Sequence, residues 1–339
     1  MRIGYNPNKD KEIQANDFFH QVIVPVYIPN QEGYFKDSLK ILEYCLESLF
    51  KTSHKHTFFT IVNNGSCTDV IAYLNILHKE NKIHELIHAN NIGKLNAVLK
   101  GITGHQFQLV TITDADVLFL NDWQKATYEV FDFFPKAGAV CPTPSSKSFN
   151  DKTFNILFEK LFSKELFFSD VVNPLALEAF AHSIGNMSFY KKVHLEKYLV
   201  VSSGAAKAVV GAGHFATTYR FEVFKKVKFT YSEFALGGDS ENRLLDRPVI
   251  ENGLWRLSTA DNYAYHMGNV LEAWMLGIMN TLIENNEIMS FQFENSIKIE
   301  NKYFFWIKNT LLSKLFYRKT IRRWFLRYKG LTKYQARNY

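Results

Sequence analysis

Strand and helix signals alternate four times between residues 21 and 113, and nothing else in the chain narrows its possible folds as much. Gln21-Val22-Ile23-Val24-Pro25-Val26-Tyr27 reads as a buried strand. Asp37 to Phe50 places Leu39, Leu42, Leu46, Leu49 and Phe50 at helical spacing. Phe58 to Val62 is a second strand, followed by an Asn63-Asn64-Gly65-Ser66 turn and a helix over Asp69 to Lys79. Glu85 to His88 is a short strand, Lys94 to Gly101 a helix and Gln108 to Thr113 the next strand. This order predicts an α/β fold with a mostly parallel central sheet flanked by helices. Ligands of such sheets collect at the carboxyl ends of the strands. Pro25-Val26-Tyr27, Asn63-Asn64-Gly65 and Asp114-Ala115-Asp116 all fall at those ends.

The tetrapeptide Thr113-Asp114-Ala115-Asp116 stands between two apolar runs, Leu109 to Ile112 and Val117 to Leu120. Two carboxylates one residue apart at the end of a buried strand are unfavourable unless positive charge sits beside them. A hard divalent cation bridging phosphate oxygens supplies that charge. Later in the chain, Gly-rich punctuation appears at Val210-Gly211-Ala212-Gly213-His214 and at Gly237-Gly238-Asp239-Ser240-Glu241.

Hydrophobic residues make up 47% of the chain and charged residues 22%, which fits a globular protein with a sizeable core. Three cysteines, Cys45, Cys67 and Cys141, lack metal-like spacing and argue for a reducing compartment. The polar first twenty residues show no signal-peptide pattern, and no apolar run reaches the roughly 18 residues of a membrane-spanning helix. Charge is unevenly placed. From Lys298 to Tyr339 there are twelve Lys or Arg against Glu300 alone, a balance of +11, whereas the whole chain is +7. The stretch from Tyr303 to Tyr328 carries Phe304, Ile307, Leu311, Leu315, Trp324 and Tyr328 at helical spacing, interleaved with cations. That pattern describes an interfacial helix on anionic lipid, or a packed helix with a solvated basic face. Charge alone would also suit nucleic acid, but nothing in the body supports that partner, and none is expected.

Taken together, the motifs resemble the family 2 glycosyltransferases, which have the GT-A fold. The matching pieces, in order, are Val22 to Tyr27, Cys45 to Leu49, Val62 to Asp69, Asn91-Ile92-Gly93-Lys94-Leu95-Asn96-Ala97, Thr113 to Asp116, Gly237 to Glu241 and Tyr265-His266-Met267-Gly268-Asn269. Two departures stand out: Asn63 replaces the usual acid of the second-strand loop, and the later acidic motif is Asp-Ser-Glu.

The resemblance implies a GT-A-like domain with a C-terminal helical basic tail. Residues 1–20 would be an extension and 21–120 the nucleotide-sugar-binding half. Residues 121–270 would be the acceptor and catalytic half, and 271–339 the amphipathic tail. It implies a nucleotide-sugar donor, UDP-linked, held by Pro25, Tyr27, Asn63, Asn64, Lys94, Asp114 and His214, with Thr217-Thr218 near the donor sugar. Mn²⁺ or Mg²⁺ would be bound by Asp114, Asp116 and His266, the imidazole suiting Mn²⁺ better. Asp239 or Glu241 would be the base of an inverting transfer to a glycan or lipid-linked acceptor in surface polysaccharide assembly. The tail would hold the protein peripherally at the cytoplasmic face of an anionic membrane. The rival classes are a nucleotidyltransferase and a non-catalytic binding module. The first normally shows a basic Gly-rich loop after its first strand, which Pro25 to Pro29 lacks; the second needs neither Asp116 nor the Asp239 loop.

Overall fold

The computed structural model describes residues 4–12, 17–225, 231–287, 289–293 and 301–339. Its strands are β1 (His20–Val26), β2 (Thr57–Asn64), β3 (Glu85–Ala89), β4 (Leu109–Thr113), β5 (Val117–Phe119), β6 (Ala137–Cys141), β7 (Leu166–Asp170), β8 (Lys197–Ser203), β9 (Ala206–Val210), β10 (Ala216–Arg220), β11 (Trp255–Ser258) and β12 (Ala264–His266). Among the described residues, ten of them form one sheet in the order β3-β2-β1-β4-β10-β6-β11-β9-β8-β7, and β5 pairs with β12 as a separate ribbon. β1 to β4, β6, β8 and β11 point one way and β7, β9 and β10 the other, so the sheet is mostly parallel, as the sequence predicts.

Both faces of the sheet are covered, which explains why β1 is apolar without alternation. Val22, Val24 and Val26 pack with Leu42, Leu46 and Leu49 of helix α1 (Ser38–Thr52), while helix α2 (Thr68–Lys79) adds Val70 and Leu74. Ile23 faces the other way, against Leu95 and Val98 of helix α3 (Lys94–Ile102). Each fully buried aliphatic side chain of this kind contributes about 1.5–3 kcal/mol.

Two sequence expectations need adjusting. β2 does not turn at Asn63; it runs through Asn64, because parallel pairing with β3 places Asn63 beside His88 and Asn64 beside Ala89. The turn starts at Gly65, whose φ is +91°, and a Cβ there would lie 2.8 Å from the Asn91 amide nitrogen. The second adjustment is β10, which inserts antiparallel between β4 and β6. That insertion lets the Asp114 amide donate to the Phe215 carbonyl at 2.8 Å, fixing the start of the acidic tetrapeptide.

The tail is helical, in pieces, and it packs. Lys302–Trp306 runs through a wider helical turn, Ile307–Leu311, into Leu312–Phe316; the chain then breaks and resumes as Lys319–Tyr328 and Lys333–Asn338. Phe316, Phe325, Leu326, Leu331, Ala336 and Tyr339 enter the same core as β6 and β11. Lys308 pairs with Glu159 at 2.8 Å, and the Lys329 ammonium donates to the Lys160 and Ser163 carbonyls. Burial pushes Lys329 down to about 8. The Tyr339 hydroxyl donates to the carbonyl of Ser146 at 2.8 Å. The packed arrangement thus holds for one face. The outer face keeps Trp324 stacked on Tyr328 at 5.2 Å, about half exposed, and Arg318, Lys319, Arg323 and Arg327 of the same stretch are exposed as well. Lys298 and Glu300 lie outside the described residues. No described helix is long and apolar enough to cross a membrane.

Candidate active site

A cleft of about 460 Å³ opens at the carboxyl ends of β1, β2 and β4. Pro25 and Tyr27 form one wall, Asn64 and Lys94 another, Asp114 to Asp116 the floor, and Ala235 and Leu236 the roof. Tyr27 is 42% exposed, and its ring meets Phe35 edge-on at 6.1 Å, so an aromatic lip stands at the entrance. Gly93 brings the roof down. Its φ is +87°, and a Cβ would sit 2.8 Å from the Phe234 carbonyl oxygen. With no side chain in the way, the Lys94 amide donates to the Ala235 carbonyl at 2.9 Å.

The acidic floor is built by the β5–β12 ribbon. Its antiparallel register sets His266 against Val117, and the Met267 amide donates to the Asp116 carbonyl at 2.8 Å. His266 Nε2 therefore lies 3.5 Å from Asp116 Oδ2, with Nδ1 2.9 Å from the Ser183 hydroxyl. Asp116 Oδ1 is buried and has no hydrogen-bond partner among the described residues. Burial pushes the Asp116 carboxyl up to about 6, and Asp114 adds to the rise, while His266 and Lys94 oppose it. A buried carboxylate oxygen without a donor fits a hard cation. No three His, Cys, Asp or Glu side chains among the described residues form a ready-made cage. An ion held by one or two carboxylates and completed by substrate phosphates needs none.

Lys94 joins the floor to the later acidic loop. Its ammonium is 2.6 Å from Asp114 Oδ1 and 3.2 Å from Glu241 Oε1. Burial alone would lower the Lys94 pKa, but these two carboxylates outweigh it and hold the amine protonated. Glu241 in turn lies 3.6 Å from His214 Nδ1.

Several sequence-predicted residues fall elsewhere. Asn63 is behind the wall: its amide meets His88 at 2.9 Å and accepts from the Ser66 amide, whereas Asn64 does line the cleft and accepts from the Ile92 amide. His214 does not line the cleft. Its Nε2 is 2.9 Å from both oxygens of Asp246, which also pairs with Arg256 at 2.9 Å. Thr217 donates to the Gly213 carbonyl and Thr218 bonds Thr111, so both hydroxyls serve the sheet. Asp239 and Glu241 part company: Glu241 faces Lys94, while Asp239 lines a second cavity and accepts from the Asn242 amide at 2.6 Å.

Sequence reasoning missed the buried Asp246–Arg256 pair, both members of which are almost fully enclosed. The available signal was an arginine inside the apolar strand Leu254-Trp255-Arg256-Leu257, since a charge there is tolerated only when paired.

The sheet, the acidic strand end and the Lys94 bridge define a GT-A-type α/β glycosyltransferase. Residues 22–199, just over half of the chain, match the sequence model of glycosyl transferase family 2, and the chain belongs to that family. Solved structures similar to it include S. aureus TarS 1-349, at 13% identity and TM-score 0.44, covering 77% of this chain and 69% of that one. The same protein in complex with UDP-GlcNAc gives 14%, 0.43, 77% and 64%. The mannosyltransferase PcManGT from Pyrobaculum calidifontis, in complex with GDP-Man and Mn²⁺, gives 12%, 0.47, 94% and 73%. No curated protein matches the chain.

Proposed function

We propose that this glycosyltransferase is metal-dependent and inverting, and takes its sugar from a nucleotide sugar, UDP-linked. The acceptor is a glycan or a lipid-linked glycan in surface polysaccharide assembly. One observation carries the reading: the orphaned, buried Asp116 oxygen beside Asp114 at the end of β4, with Lys94 bridging to the second acidic loop. Asp114 and Asp116 would hold Mn²⁺ or Mg²⁺, with His266 behind Asp116. The ion, when bound, neutralises the diphosphate leaving group. Lys94 brings a fixed positive charge to the same phosphates, and Asn64 and the Tyr27 lip orient the nucleoside end. Screening UDP- and GDP-sugars by thermal shift is expected to raise Tm with at least one donor in Mn²⁺ or Mg²⁺ and with none in EDTA. Equal shifts with and without the ion would overturn the metal dependence, and no shift with any donor would overturn the donor class.

The outer face of the tail supports peripheral attachment to an anionic membrane at the cytoplasmic side. The half-exposed Trp324 and Tyr328 pair shares its stretch of chain with the exposed Arg318, Lys319, Arg323 and Arg327. Each cation near such a surface contributes about 1 kcal/mol. Co-sedimentation with phosphatidylserine vesicles is expected at low salt and is expected to be lost at high salt or in a Trp324→Ala, Arg323→Ala, Arg327→Ala triple variant. Protein that stays in the supernatant, or that binds neutral vesicles equally, removes the electrostatic anchor.

A further inference from the structure

Asp246 and Arg256 are both buried, and the donor chemistry described above uses neither. A buried ion pair is weak evidence for stability, because apolar side chains of the same volume often serve the fold as well or better. What this pair touches says what it is for.

Arg256, on β11, grips the segment before β10 twice. Its backbone carbonyl accepts from the Gly211 amide at 2.8 Å, and its Nη2 donates to the Ala212 carbonyl at 2.7 Å. Only glycine fits at 211: its φ is +101°, and a Cβ would lie 2.5 Å from the Ser148 carbonyl oxygen. Thr217 closes the other end by donating to the Gly213 carbonyl. His214 therefore rides on a fixed stretch of backbone, and the carbonyl of the next residue, Phe215, accepts from the Asp114 amide at 2.8 Å. One short segment supports the acidic floor of the donor cleft with its backbone and presents an imidazole with its side chain.

That imidazole has a carboxylate on each side. Its Nε2 lies 2.9 Å from both oxygens of Asp246, and its Nδ1 lies 3.6 Å from Glu241 Oε2. Arg256 Nη2 approaches Asp246 at 2.9 Å and His214 Nε2 at 3.4 Å, so Asp246 stands between two donors. A carboxylate only accepts, so the Asp246 contact assigns the proton to Nε2. Nδ1 is left facing Glu241 and attracts it when the ring carries both protons. At 3.6 Å that contact is an ion pair and not a direct hydrogen bond. Glu241 Oε1 is meanwhile 3.2 Å from the Lys94 ammonium, itself 2.6 Å from Asp114. Basic and acidic groups thus alternate from the buried strand to the cleft floor: Arg256, Asp246, His214, Glu241, Lys94, Asp114. Of these, only Lys94 and Asp114 line the cleft.

We propose that His214 is a positioning residue for the donor site. Held by the buried Asp246–Arg256 pair, it keeps Glu241 within reach of Lys94, and so sets where the Lys94 ammonium stands beside Asp114, without touching the donor. The proposal rests on the donor reading above and deepens it.

A double-mutant cycle tests this. Affinity for UDP and GDP in Mn²⁺ is measured by calorimetry at about pH 6, where an ordinary imidazole is mostly protonated. The proteins are the wild type, His214→Gln, Glu241→Gln and the double variant. The glutamine amide can still donate to Asp246 but brings no charge to Glu241. His214→Gln is expected to weaken nucleotide binding about threefold or more, with a Tm like the wild type, and to weaken it no further once Glu241 is replaced. A side chain that merely fills space would have the same effect in both backgrounds. His214→Asn, shorter but with the same amide, is the second variant and should repeat the pattern. An equal effect with and without Glu241, unchanged affinity in both variants, or a lowered Tm in both overturns the proposal and leaves the donor reading in place. If neither UDP nor GDP binds the wild type, the donor reading fails and this proposal fails with it.

Discussion

Replacing Asp116 with alanine is expected to abolish sugar transfer without unfolding the protein. Asp116 Oδ1 is buried with no donor, and burial has pushed its carboxyl up to about 6. A group held in that condition works against the fold, because a buried charge lacking its partners is unfavourable. Its removal should therefore leave Tm unchanged or slightly higher, a stability gain at the expense of function. Activity should move the other way. On the proposed metal-dependent reading, loss of Asp116 removes the main means of neutralising the leaving diphosphate, and removing a single preorganised electrostatic group from an active site already costs about 10²–10³-fold in kcat. Asp116→Asn keeps the shape and should lose nearly as much. The measurements are initial rates of nucleotide release with a verified donor, and calorimetric Tm. A variant that turns over within threefold of the wild type, or whose Tm drops by about 2–4 °C or more (about 1 kcal/mol in a domain of some 150–250 residues), would show that Asp116 is structural.

The first half of this fold was legible because its signals are local. Helical spacing over Asp37 to Phe50 and an unbroken apolar run at Gln21 to Tyr27 define elements whose ends moved by only a residue or two. The positions of Asp114, Asp116 and Lys94 in the fold were legible for the same reason, each standing at a strand end or a helix start. What was not legible depends on distant pairing. Asn63 reads as a turn residue until β3 is placed beside it. His214 follows a Gly-rich stretch that suggests a donor pocket, yet Asp246, 32 residues later, captures its imidazole. The tail shows the same limit. Its periodicity announced an amphipathic helix, but not that Phe325 and Leu326 would be buried while Trp324 and Tyr328 stay outside. A face that is apolar and basic has two possible partners, core or lipid, and the period alone does not choose between them.

The two carboxylates of the acidic loop are expected to separate when each is replaced by its amide. Asp239 sits at φ +63° directly after two glycines that also have positive φ, so the loop turns sharply and presents this carboxylate to the second cavity. Its carboxylate accepts from the Asn242 side-chain amide at 2.6 Å, which orients the group and leaves an oxygen for a proton. Glu241 is differently placed. It is bound to Lys94 at 3.2 Å and approached by His214 at 3.6 Å, and a carboxylate neutralised by an ammonium is a poor proton acceptor. We therefore propose Asp239 as the base, with Glu241 as the residue that anchors the loop to the donor floor. Asp239→Asn should lower kcat by about 10²–10⁴-fold, the usual range for a lost general base, with donor affinity nearly unchanged. Glu241→Gln should instead weaken donor binding, because it releases from Lys94 the loop that carries Asp239. Its kcat should fall less than that of Asp239→Asn. Steady-state rates at varied donor, with donor affinity measured separately by calorimetry, resolve the two patterns. If Glu241→Gln shows the pure kcat loss while Asp239→Asn turns over normally, the roles are reversed, and the proton leaves the acceptor on the Lys94 side of the loop.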